Sequence, residues 1–249
     1  MSLSSITAEN IARHLDPRSV DLYSRDHGLW PIEEALIREF VSAPPASILD
    51  LGCGAGRTTQ ALRAIGWKAV ALDLSESLLH AARRRFADLP VLQADASALT
   101  FGSARFDAVL FSFNGIDYLH PESARERCMA EVCRVLKPGG IFIFSSHNLI
   151  GALFSGGYVY LRGHFNALTF LAAQIGNPHR GQWYLRYDEF AGPQYLFSAP
   201  PERTIEQLQR AGFVVEAVRG ASGERRRRAV LMHQAHVYFV ARKPAGSLS

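Results

Sequence analysis

Cysteine is scarce in this sequence: Cys53, Cys128 and Cys133 are the only three, and none forms a C-x-x-C pair. That argues against a disulfide framework and against a cysteine-based zinc site, so no metal is expected and a reducing, cytoplasmic setting is the default. Long apolar runs are missing too. No stretch of about 18 apolar residues exists to cross a bilayer. The segment from Met1 to Asp16 mixes polar and acidic residues and lacks the apolar core of a signal peptide. Charge of one sign is also in short supply. The formal net charge is only +4, and much of that excess sits in Arg225-Arg226-Arg227-Arg228. Such a run is ordinarily a solvated loop, and it contains no aromatic residue to stack on bases, so nucleic acid is not the expected partner. What remains is a chain of 249 residues that is 48% apolar, enough for one α/β domain with an added subdomain.

The richest stretch is Ile48-Leu49-Asp50-Leu51-Gly52-Cys53-Gly54-Ala55-Gly56-Arg57-Thr58-Thr59. A short apolar run ends in a carboxylate, breaks into three alternating glycines and resumes as a helical pattern. This reads as a buried strand, a tight turn and a helix N-terminus, with backbone open to a ligand at Gly52, Gly54 and Gly56. A second apolar run, Lys68 to Asp73, closes on an acid 17 residues after Gly56. A carboxylate at that strand end is well placed to accept both hydroxyls of a ribose. A dinucleotide site uses G-x-G-x-x-G to aim a helix at a pyrophosphate. Here the order is D-x-G-x-G-x-G, and Asp50 would repel a pyrophosphate but not a ligand with a cationic centre and an ammonium group.

Strand and helix patterns alternate on both sides of this turn. Strands are expected at Ser47–Leu51, Lys68–Leu72, Pro90–Gln93, Phe106–Phe111, Ile141–Ser145, Phe213–Val218 and His236–Ala241. Helices are expected at Thr7–Leu15, Pro31–Val41, Arg57–Ile65, from a Ser75 cap to about Ala87, at Pro121–Leu136 and at Pro201–Ala211. Lys137-Pro138-Gly139-Gly140 reads as a turn into the fifth strand. The fold class is therefore α/β: a doubly wound, mostly parallel, seven-stranded Rossmann-like sheet. No helix separates the last two strands, so the final strand is antiparallel. Residues 148–200 break the rhythm. They hold 11 of the 26 aromatic residues, which marks an aromatic-rich insertion after the fifth strand. The expected organisation is an N-terminal helical cap over 1–46, a cofactor-binding core over 47–147, a substrate lid over 148–200 and the last part of the core sheet over 201–249.

The glycine turn with Asp50 and Asp73 resembles the first motif of class I methyltransferases that use S-adenosylmethionine (SAM). The resemblance covers about residues 47–147 with specific motifs and the C-terminal part only in outline. It implies SAM as cofactor and S-adenosylhomocysteine as product. It implies backbone contacts from Gly52, Cys53 and Gly54 to the methionine part, with Asp50 holding the ammonium directly or through water. Asp73 would take the ribose and Leu74 would pack on the adenine. Asp95 would accept from the adenine amino group and the Ala96 N–H would donate to the ring. Ser112 and Phe113 would neighbour the sulfonium, and Tyr23 in the entry segment would reach over the cofactor or merely pack that segment on the core.

Methyl transfer leaves the protein to align the nucleophile, exclude water and, for a hydroxyl acceptor, remove a proton. His147, after the fifth strand, is the candidate base, with a structural histidine as the alternative; Tyr118, Asp117 and His120 are weaker options. Asn114, Trp183 and Tyr184 are candidate substrate contacts, as are His164 and His179, although packing explains aromatic residues there equally well. The resemblance fixes no acceptor. No Asn-Pro-Pro-Tyr-type tetrapeptide follows the fourth strand; Phe113-Asn114-Gly115-Ile116 stands there, closer to the small-molecule branch. The expected activity is methylation of oxygen or nitrogen on a small molecule. The alternatives are an RNA methyltransferase using Arg225–Arg228, a non-catalytic SAM-binding module and an NAD-dependent enzyme. Oligomeric state is open, a homodimer included.

Overall fold

The computed structural model describes residues 28–44, 46–154, 174–189, 192–220 and 234–246, together with nine isolated positions that include Asn10 and Tyr23. The arginine run 225–228, His164 and nearly all of the expected helix over 7–15 lie outside the described residues.

Five parallel strands form the first part of the sheet: β1 (Ser47–Leu51), β2 (Lys68–Asp73), β3 (Val91–Gln93), β4 (Phe106–Phe111) and β5 (Leu136–Asn148). Their spatial order is β3-β2-β1-β4-β5. Beyond β5 the sheet continues through β9 (His236–Arg242) to β8 (Val214–Gly220), and β9 runs antiparallel to both neighbours. Alternate residues face opposite sides. Leu49, Val109, Phe111, Phe142, Phe144 and Phe239 pack with α4 (Glu122–Val135) and α6 (Pro201–Arg210). Ile48, Leu110, Ile141, Ile143 and Val240 pack with α1 (Pro31–Phe40) and α2 (Arg57–Ala64). This two-faced burial is why the central strands read as nearly unbroken apolar runs. The Ser75 side chain caps α3 (Glu76–Arg85) by accepting from the Leu78 N–H.

Two features depart from the pattern expected of the sequence. The fifth strand starts at Leu136, which pairs with Phe106. The register then jumps to Ala108↔Ile141, so Lys137–Gly140 is an excursion within the strand rather than a turn before it. The insertion also joins the sheet. After the short α5 (Leu149–Phe154), it forms an antiparallel hairpin, β6 (Tyr184–Glu189) and β7 (Gly192–Ala199). β7 pairs in parallel with the end of β5 at His147↔Ser198 and Asn148↔Ala199. His147 also pairs with His236 of β9, so β7 occupies the other edge of β5, beyond the point where β4 stops.

Candidate active site

A cavity opens outside the carboxyl ends of β1, β2 and β4, where ligands lie in open parallel sheets. Its walls bring together most of the site residues named from the sequence: Tyr23, Gly52, Cys53, Gly54, Asp73, Leu74, Asp95, Ala96, Ser112, Phe113 and Tyr118. Asp50, Gly56, Asn114, His147, Trp183 and Tyr184 do not line it.

The glycines of the turn have different tasks. A Cβ on Gly52 would lie 2.4 Å from the Phe111 ring, so this residue lets the turn pack on β4. Gly54 has a φ of +53° and nothing within 4 Å of where a Cβ would stand, so it leaves bare backbone facing open space. Its N–H donates to Asp73 Oδ2 at 2.8 Å, while Asp73 Oδ1 accepts from the Ser75 N–H at 2.8 Å. Asp73 therefore pins the turn to the end of β2. Asp95 Oδ1 accepts from the Ser97 N–H at 2.7 Å and so shapes the turn after β3. Burial, and then the neighbouring Asp73 and Asp50, push the Cys53 thiol well above its ordinary pKa. It stays neutral and serves as packing.

Asp50 sits under the turn, completely buried. Thr58 and Thr59 both donate to its Oδ2 at 2.5 Å, whereas Oδ1 has no hydrogen-bond partner. Burial raises its pKa to about 6 against the opposing pull of the two hydroxyls and of Arg57. A buried carboxylate oxygen left open calls for a donor from outside the chain.

A cluster that the sequence reading missed locks the entry segment to this site. Arg57 opens α2, beside the positive end of the helix dipole, and both terminal nitrogens pair with the fully buried Glu33 at 3.0 and 3.1 Å. Arg57 also donates to the Gly28 carbonyl and to Ser112 Oγ, and the Ser112 hydroxyl donates to Glu33. The Trp30 ring covers the guanidinium at 4.8 Å and meets Phe113 at 5.1 Å; Tyr23 meets the other edge of Phe113 at 5.5 Å. Arg57 is the lone cation among the described lining residues, and Glu33 neutralises it. The signal was present in the sequence: a cation at the first position of a helix is misplaced unless something pairs with it.

The loop after β4 carries two consecutive non-glycine residues at positive φ, Phe113 (+54°) and Asn114 (+55°). Such backbone costs roughly 1–2 kcal/mol per residue and persists where surrounding contacts impose it. Here the Asn114 N–H donates to Ser145 Oγ and its side-chain amide meets His236 Nδ1 at 2.9 Å. Asn114 thus turns toward β9 and away from the cavity. Tyr184, a candidate substrate contact, is fully buried and donates to the Leu119 carbonyl at 2.5 Å. Trp183 packs against the cluster of Tyr184, Phe197 and Ala199. Tyr184 is hairpin core and the half-buried Trp183 packs against it, and neither lines the cavity, because a short two-stranded insertion must bury its own aromatics to hold its shape. His147 is buried beside the cavity's 3-10 turn (Gly115–Tyr118), where it bonds to Asp117.

Two lining carboxylates, Asp73 and Asp95, a third, Asp50, buried beneath the turn, bare glycine backbone and an apolar remainder suit an adenosyl ligand bearing hydroxyls and a positive charge. The unpartnered Asp50 Oδ1 and the open face of Gly54 both fit S-adenosylmethionine. The fold and this site define a nucleotide-handling protein of the doubly wound class. Comparison with known proteins then gives what the chain is similar to. Residues 48–140 match the family described as methyltransferase domain. The chain is 35% identical over 119 residues to a demethylmenaquinone methyltransferase of Renibacterium salmoninarum, covering 47% of this chain and 48% of that protein. It is 34% identical over 113 residues to a malonyl-[acyl-carrier protein] O-methyltransferase of Enterobacter lignolyticus, covering 45% and 43%. In each case the match spans less than half of the relative. A solved SAM-dependent methyltransferase from Methanosarcina mazei shares the fold with a TM-score of 0.67 at 16% identity, over 88% of this chain and all of that one. Over residues 48–140 the chain is thus similar to methyltransferase domains, and its fold is that of a solved SAM-dependent methyltransferase. No helix among the described residues is long and apolar enough to cross a membrane.

Proposed function

We propose that the protein transfers the methyl group of SAM to oxygen or nitrogen of a small-molecule acceptor. The observation that carries this reading is the buried, unpartnered Asp50 oxygen beneath a glycine turn whose Gly54 N–H is tied to Asp73. In this reading Gly52, Cys53 and Gly54 bind the methionine part and Asp50 the ammonium. Asp73 binds the ribose, Leu74, Asp95 and Ala96 hold the adenine, and Ser112 and Phe113 border the sulfonium. SAM supplies an electrophilic methyl group on a leaving group that needs no further activation. The chain supplies alignment and exclusion of water: Phe113 and Tyr23 are aromatic walls of the cavity, and Trp30 packs against Phe113. The segment 148–200 would supply the acceptor lid, its described hairpin being joined to the end of β5.

The relatives' printed names, a demethylmenaquinone methyltransferase and a malonyl-[acyl-carrier protein] O-methyltransferase, favour a small or tethered organic acceptor over RNA. Parallel calorimetric titrations with SAM, S-adenosylhomocysteine and NAD test the reading. Micromolar binding of both adenosyl ligands and none of NAD is expected. Binding of NAD alone would overturn it.

A further inference from the structure

Seven large apolar side chains are exposed among the described residues, and three of them, Leu168, Leu171 and Ile175, fall close together in the insertion. Leu168 and Leu171 are helical, and Ile175 lies in the turn that follows. Their spacing of three and then four residues places them on one side of that run. Exposure is 65% at Leu168, 52% at Leu171 and 80% at Ile175. A single exposed leucine is ordinary, whereas three aliphatic neighbours on one side mark a contact surface.

The hairpin holds this ridge in place. The buried Gln174 side chain bonds both backbone groups of Arg186 on β6: its Oε1 accepts from the N–H and its Nε2 donates to the carbonyl, each at 2.9 Å. Asn177, also buried, donates to the Tyr184 carbonyl at 2.9 Å and to Gln174 Oε1 at 3.0 Å. The polar side chains of this turn therefore point inward and its isoleucine outward. Tyr184 donates to the carbonyl of Leu119, a cavity wall, so the ridge is carried by the same hairpin that abuts the site.

Charge beside the ridge is of one sign. No Asp or Glu occurs between Glu131 and Asp188, and the charged residues from Leu149 to Tyr187 are Arg162, Arg180 and Arg186. Arg180 is exposed and opens the 3-10 turn just past the ridge (Arg180–Gln182). Aliphatic side chains bordered by cations match an anionic bilayer, where the chains enter the acyl boundary and guanidinium groups meet lipid phosphate. Nucleic acid fits less well, because the ridge offers no ring to stack on bases. A two-fold contact with a second copy would set the same cations on both sides, with no acid of this segment to meet them.

We propose that Leu168, Leu171 and Ile175, with Arg180 at their border, form a docking surface for an anionic lipid membrane. This goes beyond the methyltransferase reading and needs no bound cofactor. The contact is with one leaflet, since a surface of this kind lies on a bilayer and does not span it.

Co-sedimentation of the full chain with vesicles, in the absence of SAM, tests the proposal. Binding to equal parts phosphatidylcholine and phosphatidylglycerol should exceed binding to phosphatidylcholine alone by about tenfold at low salt, and should weaken as salt rises. Leu171→Asp and Ile175→Asp change exposed positions, so both should keep the wild-type circular dichroism while lowering vesicle affinity about tenfold. Arg180→Gln should weaken binding to the anionic vesicles alone. No binding to anionic vesicles at low salt would overturn the proposal. So would binding that both aspartate variants leave unchanged, or binding lost only when Arg225–Arg228 are neutralised. A concentration-dependent dimer that Ile175→Asp dissolves would give the ridge to a second copy and overturn it too. Calorimetry with SAM on the same protein separates the two readings: failure to bind SAM would count against the methyltransferase reading and leave the docking surface standing.

Discussion

Asp117 and Asp50 are both completely buried at the working end of the sheet, and their surroundings differ. Asp117 has both oxygens filled by four donors, one of them a buried guanidinium. Asp50 has one oxygen filled by two threonines and the other open. A filled carboxylate holds the chain together; an open one waits for a cation that the chain does not supply. The pKa of Asp50 rises to about 6 because burial is only partly compensated. Neutralising the two acids should therefore have opposite consequences for the fold.

Asp117→Asn is the harshest way to break the contrast. It leaves Arg125 buried without a counter-charge, and breaking a buried pair typically costs about 3–5 kcal/mol. Urea unfolding should show a loss of that size. A loss below about 1 kcal/mol would mean that the network is not what holds the hairpin, α4 and α6 together. Asp73→Ala should come next, weakening SAM binding at least tenfold by calorimetry, since it removes the charged ribose acceptor and frees the Gly54 N–H. An unchanged dissociation constant would remove Asp73 from the ribose. Tyr184→Phe should cost about 1–1.5 kcal/mol, because the buried Leu119 carbonyl loses its donor, without changing SAM affinity. A large drop in SAM affinity would mean that the hairpin shapes the cofactor pocket directly. Asp50→Asn should have the smallest effect on stability, and of the opposite sign. Because the folded pKa lies above the unfolded value of 3.8, ionisation costs the folded state stability as pH rises from about 4 to 6. The amide removes that penalty, so the melting temperature at pH 7.5 should hold or rise.

The sequence was most informative where function depends on neighbours along the chain. The strand, the three glycines and the helix start lie within twelve residues, and their order alone pointed to the ligand class. Asp73 was legible because it closes a strand at a fixed distance from that turn. The lost information is long-range. Glu33 and Arg57 are 24 positions apart, and Asp117 and His147 are 30 apart. Nothing local says that these side chains meet. Aromatic density in 148–200 suggested a pocket wall, yet Tyr184 and Phe197 are hairpin core. Composition does not distinguish a ring that lines a cavity from one that fills it. The fold class was clear from alternation, while the bulge at Lys137–Gly140 looked like a turn because its glycines and proline are the same in either role.

The most direct test of the account is SAM affinity measured by calorimetry at pH 7.5 and pH 5, for the wild type and Asp50→Asn. If Asp50 holds the ammonium, protonating it should weaken wild-type binding about tenfold across that range, as its pKa near 6 requires. Asp50→Asn should bind weakly at both pH values, with little slope. A wild-type affinity that ignores pH, or an equal slope in both proteins, would contradict the claim that this open carboxylate is the cofactor's anchor.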